Sequence, residues 1–410
     1  MQIRLDIMLI AHNHQSILPC CFYRNGIGKH PAGFFDRNGS RRQLFFPIRQ
    51  DFIRRCRIYP GWVRKRAHTG KDGMHLFQVG IVGCGGIARV HAAVLHQLPD
   101  TNIAACADII PERAEALAAQ YGCRAYRSME EMLDAERLDS VHLCTPHALH
   151  TPMAVAAARR GIAVFTEKPP VISHEQWTQL EQAAAQVPLG VCFQNRYNPN
   201  VQAAKDILET GQYGALTGAR AFITWHRDES YYRDSGWRGA WATEGGSALI
   251  NQAIHTLDLL VRLMGPADLA ETHMVNHHLR GVIETEDTVE AYLRLGGKPV
   301  LFFASTAYAA DAPVLIELQA EQAALRLECD ALEIITGHET QRRTFDLPQT
   351  LGKGYWGNGH LPCIRDFYHS LASGKPFRND LASVRDTVML MLAMYDQGRK
   401  ALAEKNAAEG

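Results

Sequence analysis

The chain has 410 residues, of which 46% are hydrophobic and 21% are charged, a composition typical of a globular protein with two or three domains. No run of about 18 apolar residues is present and the ten cysteines have no regular spacing, so we expect a cytoplasmic protein with free thiols and no membrane contact. Residues 74–410 carry 29 basic and 39 acidic residues, and this acidic balance argues against nucleic acid as a partner.

The N-terminal segment, residues 1–73, is basic, with 14 Lys and Arg against 4 Asp and Glu. Gly, Pro, Asn and Arg interrupt its short apolar stretches, so neither a helical nor a strand period is sustained. Its arginine-rich run at 37–66 could bind nucleic acid. Its histidines and cysteines at 12–21 could bind a metal, although adjacent cysteines are a poor match to a two-plus-two zinc site. We predict a poorly ordered extension that need not belong to the native protein, with Met74 as the functional first residue.

From residue 74 onward, strand and helix patterns alternate and predict a first domain over residues 74–195. Pro111 suits the first turn of a helix, and Ser128 with Glu131 forms a capping box before a short helix. Strands separated by helices predict a parallel sheet with helices on both faces. The other expected elements are strands at 76–82, 103–107, 140–144 and 162–165 and helices at 87–98 and 153–160.

The first strand ends in a turn, Gly-x-Gly-Gly-x-Ala at residues 83–88, that opens a helix. This context fits the dinucleotide fingerprint, in which the glycines allow a tight turn and close approach to a pyrophosphate. Asp108 follows 25 residues after Gly83 at the end of the second strand, where a carboxylate can hold both ribose hydroxyls. Since that carboxylate repels a 2′-phosphate and Arg113 is the only nearby cation, the sequence favours NAD over NADP.

After about residue 195, strand patterns follow one another without crossover helices between most of them. They predict a second, α+β domain over residues 196–410 with a mainly antiparallel open sheet, so the expected fold class is α/β with a Rossmann domain followed by this domain. The expected elements are strands at 219–224, 289–295, 300–305 and 314–318 and helices near 361–372 and 381–402.

Residues 225–241 combine five aromatic side chains with several charged ones. Sugar rings present apolar C–H faces and polar edges, so this mixture suits a sugar-binding wall. Interface or loop packing would need the same residue types. The stretch is therefore a candidate substrate region with an alternative structural role.

Four residues at 142–150 could suggest a metal site, namely His142, Cys144, His147 and His150. The first two are expected on a central strand, whereas the other two follow a Thr-Pro turn. This placement does not direct four ligands toward one ion. The sequence therefore predicts no metal.

Four motifs occur in a fixed order: Gly-Cys-Gly-Gly-Ile-Ala at 83–88, Cys-Thr-Pro-His-Ala-Leu-His at 144–150, Glu-Lys-Pro at 167–169 and Gly-Gly-Ser-Ala-Leu-Ile-Asn-Gln-Ala-Ile-His-Thr-Leu-Asp at 245–258. Over about residues 75–405 the chain resembles the Gfo/Idh/MocA oxidoreductase family, the relatives of glucose-fructose oxidoreductase and inositol dehydrogenase. The resemblance implies a Rossmann domain and an α+β domain whose open sheet often forms the oligomer interface. We accordingly expect a homodimer or homotetramer.

The resemblance implies roles for individual residues. Lys168 matches the lysine beside the nicotinamide and the reacting hydroxyl, and His255 matches the family's catalytic histidine. Asn251 stands where many relatives have Asp, and its amide cannot accept a proton at neutral pH but can orient His255 or bind a hydroxyl. Together with the observations above, the expected cofactor-binding residues are Gly83, Gly85, Gly86, Ile87, Ala88, Asp108, Thr145, Pro146, His150, Glu167 and Lys168, and the expected substrate-binding residues are Arg196, Tyr197, Trp237, Arg238, Asn251 and His255.

Oxidation of a secondary alcohol requires removal of the hydroxyl proton as hydride leaves carbon for the nicotinamide ring. Lys168, desolvated and facing a cationic ring, should have a lowered pKa and could deprotonate that hydroxyl. The pKa of His255 should lie in the useful range without tuning. Helical spacing predicts that Asn251, His255 and Asp258 share one wall.

We therefore expect an NAD-dependent dehydrogenase that acts on a CH–OH group of a small sugar, cyclitol or sugar acid. One alternative is an NAD-dependent lyase or glycosidase that oxidises its substrate transiently and forms no net NADH. Another is a non-catalytic sensor that binds the dinucleotide, against which the presence of both Lys168 and His255 argues.

Overall fold

A computed structural model describes residues 76–345 and 359–409, so the extension predicted at 1–73 lies outside the described residues. The first part alternates strands and helices: β1 (Phe77–Val82), α1 (Gly86–Gln97), β2 (Thr101–Ala107), α2 (Pro111–Tyr121), β3 (Arg124–Tyr126), α3 (Met129–Ala135), β4 (Ser140–Leu143), α4 (His147–Arg159), β5 (Ala163–Thr166), α5 (His174–Ala184) and β6 (Leu189–Val191). The strands form one parallel sheet in the order β3-β2-β1-β4-β5-β6. The predicted Rossmann-type sheet is confirmed.

Local sequence explains most of these boundaries. Pro111 occupies the first turn of α2, where its missing N–H is not needed. The hydroxyl of Ser128 accepts a hydrogen bond from the Glu131 backbone at 3.1 Å, but the Glu131 carboxylate accepts one from the Arg127 backbone, so only half of the predicted capping box forms. β3 and β6 were not predicted because each has only three residues, too few to show a period. Helix α5 was not predicted either.

The strand order reverses at β1, which pairs with β2 on one side and with β4 on the other. The connections that leave these strands therefore run in opposite directions. In open parallel sheets this reversal leaves a crevice outside the carboxyl ends of the strands, where ligands bind. The glycine turn that follows β1 lies at this edge.

The second part contains an eight-stranded sheet. Its elements are α6 (Pro199–Thr210), β7 (Leu216–Thr224), α7 (Glu229–Arg233), α8 (Ile254–Met264), β8 (Ala267–Val275), β9 (Thr288–Leu295), β10 (Lys298–Ser305), β11 (Leu315–Ala320), β12 (Ala324–Glu328), β13 (Ala331–Ile335), β14 (Thr340–Thr344), α9 (His360–Ser373) and α10 (Leu381–Glu409). The order is β14-β13-β12-β11-β7-β10-β9-β8. β10 and β7 are parallel and the other neighbouring strands are antiparallel, which confirms the predicted mainly antiparallel sheet.

One face of this sheet is covered by helices. Leu257 of α8 and Val388 of α10 belong to the same buried cluster as Phe302 of β10. The other face leaves Tyr292 and Leu301 exposed. Within the part of the chain that the structure describes, no helix is both long enough and apolar enough to cross a membrane.

Helix α9 packs against the parallel sheet although it follows the second sheet in the chain. Cys363, Phe367 and Tyr368 of α9 are buried in one cluster with Val79 of β1 and Phe165 of β5. The two sheets lie on either side of the boundary predicted at residues 195 and 196. The assignment of α9 to the second domain needs correction, since its apolar face completes the core of the first.

Candidate active site

A cavity of about 1320 Å³ lies at the carboxyl ends of the parallel strands and extends to the second domain. Its lining includes Gly83 and Asp108 at one end and Asn251 and His255 at the other. Pockets for drug-sized ligands usually measure about 300–1,000 Å³. The cavity is therefore large enough for a dinucleotide together with a small substrate.

The glycine turn forms the wall of one end of the cavity. Gly83 has a φ of +81°, and a Cβ there would lie 2.6 Å from the carbonyl oxygen of Cys144, so a side chain would require the backbone to shift. A Cβ at Gly85 or Gly86 would meet no atom within 4 Å, and both residues line the cavity. Because α1 begins at Gly86, its first N–H groups can receive a pyrophosphate. Ala88 is buried beneath the turn and does not line the cavity.

Asp108 lies at the edge of this end, and backbone groups hold its carboxylate in place. Oδ2 accepts a hydrogen bond from the Cys84 backbone at 2.7 Å, and Oδ1 accepts one from the Ile110 backbone at 2.8 Å. Each oxygen keeps acceptor capacity for a ribose hydroxyl. A cradle without side chains beside a fixed carboxylate fits NAD, whose pyrophosphate and ribose would be held by these residues. Arg113 also lines the cavity.

Two further residues expected at the cofactor already have protein partners. The His150 ring nitrogens lie 2.7 Å from the Pro169 carbonyl oxygen and 2.8 Å from the Thr145 carbonyl oxygen. Oε1 of Glu167 lies 2.8 Å from Nε2 of His91. Because these polar groups already have partners in the protein, we expect His150 and Glu167 to form part of the cavity wall and not to bind NAD through these groups. Both residues line the cavity, as do four other expected cofactor residues, Ile87, Thr145, Pro146 and Lys168.

Lys168 follows β5 and reaches across to the second domain. Its Nζ donates a hydrogen bond to the backbone carbonyl oxygen of Asn251 at 2.9 Å. Burial lowers the pKa of Lys168. The side-chain amide of Asn251 donates a hydrogen bond to Oε1 of Glu244 at 2.5 Å, and the backbone N–H of Gly239 donates one to the other carboxylate oxygen at 2.6 Å. Burial raises the pKa of Glu244 to about 7. Asn251, which lacks a negative charge, is thus held by a buried carboxyl group.

His255 lies in the first turn of α8 and lines the cavity. Its Nε2 lies 3.4 Å from the amide nitrogen of Gln194, whereas its Nδ1 is buried without a hydrogen-bond partner among the described residues. Burial lowers the pKa of His255 well below its usual value. The expectation that it titrates in the useful range needs correction, because the imidazole is neutral at pH 7. Asn251 belongs to a wider helical turn at Ala248–Ala253 that precedes α8.

Arg196, Tyr197 and Asp258 are not where the sequence placed them. Nη2 and Nε of Arg196 donate to the two carboxylate oxygens of Asp258 at 2.6 and 2.7 Å, and both side chains are buried. The remaining N–H groups of Arg196 donate to Asn379 and Ser383, so the guanidinium is used within the protein and does not reach the substrate. The Tyr197 hydroxyl donates to Asp366 at 2.7 Å. None of the three residues lines the cavity, so the predicted substrate contacts of Arg196 and Tyr197 need correction, as does the prediction that Asp258 shares a wall with Asn251 and His255.

The aromatic stretch at 225–241 contributes part of the cavity wall, including Trp237 and Arg238. The guanidinium carbon of Arg238 lies 4.2 Å from the centre of the Tyr231 ring, and Nη1 donates to the Tyr231 carbonyl oxygen at 3.3 Å. Nε of Arg238 is buried without a partner among the described residues. The Trp237 ring lies edge-on to His147, 4.8 Å between centres. The stretch thus combines an apolar wall with a cation at the cavity.

Sequence reasoning missed the roles of Glu244 and Gln194. Gln194 lies two residues before Arg196, which was expected at the substrate, and it is Gln194 whose side chain contacts His255. Glu244 directly precedes the motif at 245–258, but a carboxylate next to glycines is usually exposed. Only the adjacency of Glu244 to that motif could have drawn attention to it.

The four residues considered for a metal at 142–150 do not converge. His142 lies against His91 and Tyr368, whereas His147 lies 2.9 Å from the Glu244 carbonyl oxygen. Within the described ranges, one group of potential metal ligands does lie together, and it consists of His91, Glu167, Cys192 and His360. Of these four residues, only Glu167 was expected from the sequence to be functional, as a cofactor contact.

Comparison with known families gives two matches in succession. Residues 77–194 match the oxidoreductase family with an NAD-binding Rossmann fold, and residues 201–326 match the Gfo/Idh/MocA C-terminal domain. Together the matches cover more than half of the chain. They end and begin on either side of the boundary between the two sheets.

Individual relatives are more distant. An inositol 2-dehydrogenase from Rhizobium meliloti is 32% identical over 139 residues, which is 33% of this chain and 42% of the relative. A D-glucoside 3-dehydrogenase from Escherichia coli is 28% identical over 195 residues, 46% of this chain and 54% of the relative. The chain thus spans about half the length of these curated relatives. The WlbA dehydrogenase structure from Bordetella pertussis, with NADH and UDP-GlcNAcA, is 26% identical with a TM-score of 0.70 over 80% of this chain and 98% of that chain.

Proposed function

Because the chain belongs to the Gfo/Idh/MocA oxidoreductase family, we propose that it transfers hydride between NAD and a hydroxyl-bearing carbon of a sugar, cyclitol or sugar acid. The observation that carries this proposal is that Lys168 and His255 line the same cavity as the glycine turn and Asp108. A dinucleotide cradle and proton-handling groups in one cavity are what alcohol oxidation requires. The relatives described above are inositol, glucoside and WlbA dehydrogenases, which supports a polyhydroxylated substrate.

When bound, NAD supplies the nicotinamide ring that accepts hydride. In its neutral form the Lys168 amine donates one N–H hydrogen bond to the Asn251 backbone carbonyl oxygen and keeps its lone pair for the proton of the substrate hydroxyl. His255, neutral at pH 7, can orient the same hydroxyl through a hydrogen bond but does not need to change charge. Glu244 accepts a hydrogen bond from the side-chain amide of Asn251, the residue whose backbone carbonyl oxygen binds Lys168.

The test is NADH formation by the purified protein with a panel of polyols, aldoses and sugar acids. We expect absorbance from NADH with at least one substrate class and a ketone product at the oxidised carbon. Conversion of a substrate without net NADH would instead support transient oxidation by a lyase or glycosidase. NAD binding without conversion of any panel member, in protein that is folded by circular dichroism, would contradict the dehydrogenase proposal.

We further propose a cytoplasmic homodimer or homotetramer that buries the open face of the eight-stranded sheet. Tyr292, Leu301 and Tyr308 are 41%, 52% and 46% exposed, and large exposed apolar side chains that cluster on one face are typical of an interaction surface. Light scattering after gel filtration should give the mass of a dimer or tetramer, and Leu301→Lys should lower it. A monomer at micromolar concentration would contradict this assembly.

A further inference from the structure

Four potential metal ligands meet beside the cavity that Lys168 and His255 line. His91 comes from α1, Glu167 from the end of β5, Cys192 from the end of β6 and His360 from the first residue of α9. One ligand atom from each residue lies within 4.8 Å of the others, and the four residues are between 0% and 6% exposed. We refer to these residues as the buried cluster.

We propose that the buried cluster binds one zinc ion. Two imidazole nitrogens, one carboxylate oxygen and one thiolate sulfur are the donors that Zn²⁺ takes in four-coordinate sites. Magnesium and calcium prefer oxygen donors, so this mixed set with a thiolate selects against them. The inference is independent of the substrate and of the proposed activity.

Charge supports a divalent ion at this position. The Glu167 carboxylate and a Cys192 thiolate together compensate the two positive charges of zinc, while the two histidines are neutral ligands. The filled site therefore adds no net charge beside Lys168, whose amine handles a proton. A buried site that leaves an uncompensated charge would be strongly unfavourable. Because the thiolate is the ligand, zinc binding would release the proton of the Cys192 thiol.

Outer hydrogen bonds already orient one of the ligands. Nδ1 of His91 lies 2.9 Å from Nδ1 of His142, whose Nε2 lies 2.9 Å from the Tyr368 hydroxyl, and that hydroxyl lies 2.9 Å from Oγ of Ser140. If His91 carries its proton on Nδ1, each group in the series can donate to the next. Nε2 of His91 and Oε1 of Glu167 are hydrogen-bond partners at 2.8 Å in the structure, and zinc binding would replace this contact with one metal–ligand bond to each atom. Such outer partners are usual for metal-binding histidines.

The site would be structural. Four protein ligands leave no open position for substrate, so the ion would not polarise the reacting hydroxyl. Glu167 precedes Lys168, and its Oε2 accepts a hydrogen bond from the Lys168 backbone at 3.2 Å. Zinc would therefore tie α9 to the segment that carries Lys168. Glu167 and His360 line the cavity, which gives the ion a path of entry.

The test uses the full chain after removal of metal with a chelator. One sample is titrated with zinc chloride and a separate sample with cobalt(II). We expect one zinc per chain by elemental analysis and, with cobalt, a thiolate-to-metal charge-transfer band. Cys192→Ser should abolish that band. Cys106→Ser is the matched control, because Cys106 is also fully buried but lies in β2 outside the cluster, and its variant should keep the band.

Two more variants test how strongly the affinity for zinc depends on an outer partner and on a ligand. His142→Asn changes an outer partner and should weaken zinc binding about 10- to 100-fold, the usual cost of such a change. His360→Asn removes a ligand and should weaken binding by more than about 100-fold, beyond that range. Wild-type protein that binds less than one zinc per chain, or shows no cobalt charge-transfer band, would overturn the proposal even if a variant fails to fold. Zinc binding that persists in both Cys192→Ser and His360→Asn would overturn it as well.

Discussion

The two ends of the cavity are constructed differently. At the cofactor end, backbone groups predominate: the turn at 83–88 carries no side chain at Gly85 or Gly86, and backbone N–H groups hold Asp108. At the reaction end, Lys168 from the first domain meets Asn251 and His255 from the second. The cofactor end is therefore formed within one domain, whereas the reaction end exists only when both domains are in place. Substitutions should separate NAD binding from turnover along the same division.

The largest effect is expected from Lys168→Met. Loss of the amine removes the acceptor for the hydroxyl proton, so turnover should fall by at least about 10⁴-fold, the upper end for a positioned acid–base group. The affinity for NAD, measured by calorimetry, should change little because the turn at 83–88 is untouched. Lys205→Met is the control, since Lys205 pairs with Glu209 on the surface of α6. Near-normal turnover of Lys168→Met would refute the assigned reaction end.

His255→Ala should lower turnover less, by about 10²- to 10⁴-fold, because its neutral imidazole orients the hydroxyl while Lys168 takes the proton. Steady-state NADH formation at saturating substrate measures this effect. Gln194→Ala removes the neighbour of Nε2 and is the companion variant, for which we expect a smaller loss. A loss for His255→Ala that exceeds the loss for Lys168→Met would reverse the two roles.

Asp108→Ser tests the cofactor end. Loss of a charged acceptor for the ribose hydroxyls should weaken NAD binding about 10- to 100-fold, and loss of its repulsion should improve the relative binding of NADP. Turnover at saturating cofactor should stay close to the wild-type value. Asp134→Ser, at a surface residue that pairs with Arg160, is the control. Unchanged preference for NAD over NADP would show that Asp108 does not face the ribose.

Glu244→Gln should have the smallest effect and concerns stability. Since folding raises the pKa of Glu244 to about 7, the folded protein binds this proton more tightly than the unfolded chain. That contribution is fully present below the ordinary carboxyl pKa and is lost as pH rises through about 7. Glu244→Gln cannot titrate, so its Tm should fall less than the wild-type Tm between about pH 5 and pH 7.5. Parallel Tm curves for the two proteins would contradict the raised pKa.

Sequence patterns predicted the elements that surround the cofactor end better than the contacts at the reaction end. Pro111 and the turn at 83–88 act through their own backbone conformation, so their effect could be read locally. The predicted substrate contact of Arg196 needed correction because its partner, Asp258, lies 62 residues away in the chain. The direction of the Arg196 side chain follows from this ion pair, since its buried charge needs the Asp258 carboxylate. Glu244 lies only seven residues before Asn251, but the burial of its carboxyl group and this contact arise only on folding.

The sequence by itself determined the Rossmann-type first sheet, the mainly antiparallel second sheet and the positions of the glycine turn and Lys168, because these depend on periodicity and on residues close together in the chain. Only the tertiary structure decided which polar groups are paired and which are left to act. Buried polar groups must find a partner nearby in space, and spacing along the chain does not reveal that partner. The buried cluster of His91, Glu167, Cys192 and His360 shows this most clearly, because it draws one residue from each of four separate segments.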